Sequence, residues 1–207
     1  MGRNSSGSPN RQGGLKPGDA DFKGKVGKLE SLSTIKDPQV YKEVTSAISR
    51  FHSVMGVRQR NVKVATLPDG VGGVHVTSGG KSEVVALSKQ VFNGKSTTKK
   101  TVEGWAKSGY KSGHLTETNK PVAHIVTHEL AHASWNNHLT GAAQVAAGKE
   151  IRKMYQSWMK DTKKKGYGKY ASSNENEFWA EVCTKAIHGR ADKYTKRAKA
   201  IVKKYGL

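Results

Sequence analysis

The single cysteine of this 207-residue chain, Cys183, excludes an intrachain disulfide and a zinc site built from cysteine alone. No apolar run approaches the ~18 residues of a membrane span, and the N-terminal segment carries Arg, Gly and Ser where a signal peptide needs an apolar stretch. Acidic residues are scarce: 16 Asp and Glu stand against 36 Lys and Arg, a formal charge of +20. That balance excludes an ordinary neutral or acidic enzyme and points to phosphate-bearing or acidic partners. Apolar residues make up 35% and aromatics 7%, below the about 45–50% apolar share of a globular domain, so part of the chain stands outside any core. One domain plus an arm fits the length, because two domains would leave two thin cores. The expected location is cytoplasmic or virion-associated, with secretion by a route without a signal peptide still compatible.

Glycine, by contrast, is abundant at 23 residues, and much of it lies early. Residues 1–36 read as a disordered basic Gly/Ser-rich arm, and residues 37–207 as the domain. Asp37-Pro38 has the form of an N-cap followed by Pro at the first helical position. Val40, Val44, Ala47, Ile48, Phe51 and Val54 then recur at helical spacing as far as Gly56. Beyond Asn61 the period becomes two. Val62 and Val64, Val74 and Val76, and Glu83 to Leu87 suggest three short strands, joined by turns at Pro68-Asp69-Gly70 and Gly79-Gly80 in a small antiparallel or mixed sheet. Residues 93–120 read as a long polar loop with room for one strand. Helices are predicted over about 121–137, 142–162, 174–188 and 191–205, with Ser172 and Glu175 as a capping box for the third.

Within the first of these helices lies His128-Glu129-Leu130-Ala131-His132. Two histidines one turn apart project from one face and can share a Zn²⁺ ion. Glu129, next to the first, sits too far round the helix to be a ligand but close enough to act as general base. A catalytic zinc site needs a third protein ligand and an open position. His138, ten residues after His128, has the spacing of a third histidine, but Trp135 stands where such motifs use Gly to turn the chain. Glu177 and Glu181, one turn apart on the later helix, are the other candidates. Carboxylates on a packed helix need partners, and a metal with its histidines would supply them. Cys183, Trp135, Trp158 and Trp179 read as core residues.

The pairing of Thr127-His128-Glu129-Leu130-Ala131-His132 with Tyr170-x-x-Ser173-Asn174-Glu175-x-Glu177-Phe178-Trp179-Ala180-Glu181 resembles the catalytic domain of the anthrax lethal factor type. That domain is a glutamate-ligand zincin also found in toxins and phage-encoded proteins. The resemblance covers about residues 120–190. It implies an α+β zincin-like fold with an N-terminal helix, a small sheet, the active-site helix and a C-terminal helical subdomain. It also implies that His128, His132 and Glu177 bind Zn²⁺, that Glu129 is the base, that Tyr170 steadies the oxyanion or leaving amine, and that Glu181 is an outer carboxylate. The implied activity is zinc-dependent hydrolysis of a protein or peptide substrate, bound by analogy along the edge strand Glu83 to Val91.

The charge is uneven. Residues 149–207 carry 16 basic and 6 acidic residues, half of the net excess. Lys163, Lys164 and Lys165 form one basic cluster, and Lys196 and Arg197 belong to another; both are candidates for contact with nucleic acid. The competing functions are therefore a basic nucleic-acid-binding or virion-associated structural protein with a zincin fold, and a SprT-like DNA-associated protease.

Overall fold

The computed structural model describes residues 26–56, 61–78, 81–135, 141–161 and 166–207. Residues 1–25 of the arm, Gly79-Gly80, Asn136-Asn137, His138 and the cluster Lys163, Lys164 and Lys165 lie outside the described residues. The class is α+β: helices around a three-stranded mixed sheet. Among the described residues no helix is long and apolar enough to cross a membrane.

Helix α1 (Pro38–Met55) begins as its sequence dictates: the Asp37 side chain accepts hydrogen bonds from the amides of Gln39 and Val40. It ends at Gly56, whose φ of 68° is left-handed and suits glycine. Strands β1 (Val62–Ala65), β2 (Gly73–Ser78) and β3 (Lys81–Ser88) follow. The spatial order is β1-β3-β2, with β2 antiparallel and β1 parallel to β3. The strand expected to form the substrate edge is thus the central one, and the open edge among the described residues is β2. The far side of β1 is engaged by Glu30, whose amide donates to the Val64 carbonyl at 2.7 Å while its own carbonyl accepts from the Val64 amide at 2.9 Å. Residues 26–36, placed in the arm by composition, are consequently packed on the sheet, with Ile35 buried. These two main-chain hydrogen bonds and a third, from the Gly27 amide to the Thr66 carbonyl at 2.9 Å, hold them where side-chain periodicity gives no sign.

A single turn, α2 (Lys89–Phe92), leads to α3 (Lys99–Lys111), which replaces the expected 93–120 loop. Thr98 and Thr101 form a capping box at its start, and Val102, Trp105, Ala106 and Tyr110 give it an inward face. Helices α4 (Pro121–Trp135), α5 (Gly141–Met159), α6 (Glu175–His188) and α7 (Lys193–Tyr205) complete the chain. The cap of α6 is Asn174, whose side chain accepts from the amides of Asn176 and Glu177; Ser172 instead lies in a 3₁₀ turn, Lys169–Ser172.

α4 is the hub, packed against α1, α3, α6 and the sheet. From Val122 to Ser134 every residue is buried. Val62, Val64, Val85 and Leu87 face this main core, while Ala65, Ala86 and Val74 face a smaller one with Leu67 and Val71. α6 crosses α4 with a polar face. Phe178 of the same helix packs instead into rings of Trp158 (4.9 Å between centroids), Tyr155 (5.6 Å), Tyr167 (6.0 Å) and Tyr194 (6.0 Å). That cluster joins α6 to α5 and α7. Trp179 ties α6 to α4 by donating from Nε1 to the Ala131 carbonyl at 3.2 Å.

Because Phe178 supports the fold from the side away from the histidines, Phe178→Ala is expected to lower stability by about 3–5 kcal/mol. The folded fraction should keep its metal affinity. Denaturant unfolding and metal titration of the same preparation check the two halves.

Candidate metal centre

The spacing of four residues on α4 repeats once more than the motif requires. His124, His128 and His132 form a stripe, and α6 lays Glu177 and Glu181 alongside it. His132 Nε2 is 3.1 Å from His128 Nε2, and each lies 3.2 Å from Glu177 Oε2. Three donors of a tetrahedral zinc site with bonds of about 2.0–2.1 Å stand roughly 3.3 Å apart. This triangle therefore fits a small tetrahedral cation, and the buried His/Glu group can hold a metal ion.

A second layer fixes the ligands. Glu181 Oε1 lies 3.0 Å from His128 Nδ1 and 3.4 Å from His124 Nε2. Its Oε2 accepts the Thr116 amide at 2.6 Å. A carboxylate at Nδ1 favours the tautomer that leaves Nε2 free to bind metal. Thr116 is held in turn, since the Gly168 amide donates to its hydroxyl at 3.0 Å. The amides of Lys169 and Tyr170 donate to the carbonyls of Gly113 and His114, each at 2.9 Å. This ladder also places Tyr170 over the site, its ring stacked 5.8 Å from that of His128. His124 meets the Tyr110 ring edge-on at 5.4 Å, and the Tyr110 hydroxyl is 3.0 Å from Thr118 Oγ1.

Burial sets the electrostatics. Glu129 is fully buried, and neither carboxylate oxygen has a hydrogen-bond partner among the described residues. Desolvation pushes its pKa up to about 7 against the opposing pull of His132 and His128. Burial also disfavours charge on Glu177, but His132 and His128 outweigh it and hold Glu177 at about 2. Glu181 is likewise pulled below the usual carboxylate range, burial being overcome by His124 and His128. His128 is held well above its ordinary value because Glu177 and Glu181 overcome its desolvation. The Tyr170 phenol is raised, first by burial and then by Glu177 and Glu129, so it remains a donor.

Of the residues expected from sequence, His128, Glu129, His132, Tyr170, Glu177 and Glu181 converge here. Lys196 and Arg197 are exposed on α7, away from the triangle. Other basic groups of that helix are engaged: Lys193 Nζ is 2.8 Å from Asp161, and Lys204 pairs with Glu150. Sequence reasoning missed His124, whose place four residues before His128 was its signal, and missed Thr116, which acts through its backbone. It also missed two close approaches. A Cβ on Gly73 of β2 would stand 2.7 Å from Glu129 Cγ, and one on Gly168 would stand 2.2 Å from the His114 carbonyl oxygen. No family model, curated protein or solved structure matches the chain.

The Gly168 backbone, at φ −68° and ψ 161°, suits any residue; space alone demands glycine. Gly168→Ala should therefore push the 166–170 segment off Thr116, loosen Glu181 and lower metal affinity by roughly 10–100-fold, the usual effect of losing such outer partners. Isothermal titration with Zn²⁺ would show it. A cation must also displace the proton that Glu177 and Glu181 hold on His128, because a ligating imidazole is neutral. Metal affinity should accordingly fall as pH drops, with protons released on binding. Calorimetry in buffers of different ionisation enthalpy measures that release, and an affinity flat from about pH 8 to 5.5 would contradict it.

Proposed function

We propose that this chain is a zinc-dependent endopeptidase of the glutamate-ligand zincin type, with His128, His132 and Glu177 holding the metal. The observation that carries the reading is the pairing of the 3.1–3.2 Å donor triangle with a buried Glu129 carboxylate that no group among the described residues satisfies. A structural metal site has no use for such a carboxylate, which costs free energy in an apolar interior; a hydrolytic site does. The resemblance to the lethal factor type rests on the same residues and adds Tyr170.

When bound, zinc supplies the Lewis acidity that makes water a nucleophile near neutral pH and polarises a peptide carbonyl. The chain's own groups do the rest. Glu129 accepts a proton and later gives it to the leaving nitrogen, a role suited to a carboxyl lifted to about 7. Tyr170 keeps its proton and donates to the developing oxyanion, where a hydrogen bond is strongest in the transition state. Glu181 keeps His128 in the tautomer that leaves Nε2 available. A substrate running as an extended strand would pair with β2, the open edge of the sheet, whose Gly73 brings main chain against Glu129.

Glu129→Gln is expected to retain one zinc per chain while losing peptidase activity, since the base is not a ligand. Glu177→Ala should lose both. Tyr170→Phe should keep zinc and lower turnover by roughly ten- to a thousandfold. Metal analysis with turnover of a quenched peptide library tests the set. Stoichiometric zinc in Glu177→Ala, or full activity in Glu129→Gln, would sink the proposal.

A further inference from the structure

A cleft of about 700 Å³ opens where one side of α1, the N-terminal ends of α3 and α4 and the C-terminal end of α6 meet. None of the triangle residues lines it. Its volume falls within the roughly 300–1,000 Å³ of small-ligand sites. Ala47 and Ala123 form a buried floor, and Lys42, Arg50, Lys99 and Lys120 stand around the rim. The lining contains one carboxylate, Glu43, which lies 3.4 Å from Lys99 Nζ; Lys99 also lies 3.5 Å from Glu103 of its own helix, so the rim cations left unpaired among the described residues are Lys42, Arg50 and Lys120. Arg50 spends its Nε on the Ile187 carbonyl at 3.3 Å. Among the described residues no carboxylate lies within 4.0 Å of Lys42, Arg50 or Lys120.

The rim cations are placed against local preference. Neither α3 nor α4 has an acidic residue in its first turn. Lys99 opens α3, and Lys120 immediately precedes Pro121 of α4. Positive charge at a helix N-terminus opposes the macrodipole and the free amides there, unless an anion comes between them. Like charges gathered round one concave surface repel further. His188 stands at the cleft wall, where burial, then Arg50, His124 and Lys120, lower its pKa to about 4, and its Nε2 lies 2.8 Å from Thr127 Oγ1. A neutral imidazole adds nothing to the positive surplus, which rests on Lys42, Arg50 and Lys120, and departures from local rules concentrate at functional sites.

We propose that this cleft binds phosphate groups, presented by a nucleotide or by the backbone of a nucleic-acid strand. The site is independent of the metal centre and of the peptidase reading. Discrete cations around a concave floor, with two helix N-termini beside it, suit tetrahedral dianions, and Arg50 can present its terminal amino groups to phosphate oxygens.

The test uses two probes on the full chain: adenosine monophosphate by calorimetry and a fluorescein-labelled oligothymidylate by anisotropy. Lys42→Gln/Lys120→Gln removes two exposed charges that hold no part of the fold, and circular dichroism checks that it folds as wild type. At least one probe should bind wild type and lose about tenfold in affinity in this variant at roughly 0.1 M salt. For the strand, the slope of log affinity against log salt should fall by about 1.4. Loss confined to the monophosphate assigns a nucleotide, and loss of the strand assigns a nucleic acid. Lys196→Gln/Arg197→Gln on α7 should change either affinity by less than twofold. The proposal is overturned if wild type binds neither probe, if the cleft variant binds both unchanged, or if the α7 variant loses as much. It is overturned equally if a poly-glutamate peptide displaces either bound probe at lower concentration than unlabelled phosphate ligand, since the site would then serve acidic protein.

Discussion

Charge buried without water is the constraint on which this molecule turns. Glu129, Glu177 and Glu181 face His124, His128 and His132 in an interior where all six are at most 4% exposed. A lone carboxylate in such a place would neutralise or drag the helices apart. Here the anions and imidazoles are interleaved along the α4–α6 crossing, so each carboxylate except Glu129 meets its compensation. The crossing works as an ionic seam, whereas the apolar contacts that ordinarily join helices lie behind α6, in the rings around Phe178.

The seam explains the conformations of segments far apart in sequence. The 113–118 connection brings the Thr116 amide to Glu181, and the 166–172 connection brings Gly168 to Thr116 and Tyr170 to the ligands. Each of these contacts satisfies one atom and in doing so orients the next, a chain of polar contacts of the kind that specifies one arrangement. Glu129 stands outside that chain of contacts: among the described residues neither of its oxygens has a hydrogen-bond partner.

Much of this was legible in the sequence for reasons that can be named. Four-residue spacing of His128 and His132, and of Glu177 and Glu181, needs nothing but a helix to become a shared face. The helix starting at Asp37-Pro38 is fixed by local chemistry. What was illegible depended on partners distant in sequence. Gly104 and Gly109 and the surrounding lysines masked α3, whose second helical glycine is explained only by Leu115, 2.7 Å from where its Cβ would be. The order β1-β3-β2 is a choice between pairings that two-residue periodicity cannot distinguish, and it moved the open edge from β3 to β2. The partner of the apolar side of α6 was illegible too, because it has two neighbours to choose between, and the aromatic cluster from α5 and α7 claims Phe178. Glu30 and Thr116 contribute main-chain groups, which every residue carries alike.

α4 presents no residue from Val122 to Ser134 to solvent. A helix with a wet side can accumulate neutral changes there; this one has no such reserve, because each position serves either the His/Glu cluster or the core. Variation near the His/Glu cluster is therefore left to what borders the helix, the β2 edge and the loops before α4 and before α6. The candidate metal centre and the heart of the domain are thus one unit, and room for change is confined to the periphery.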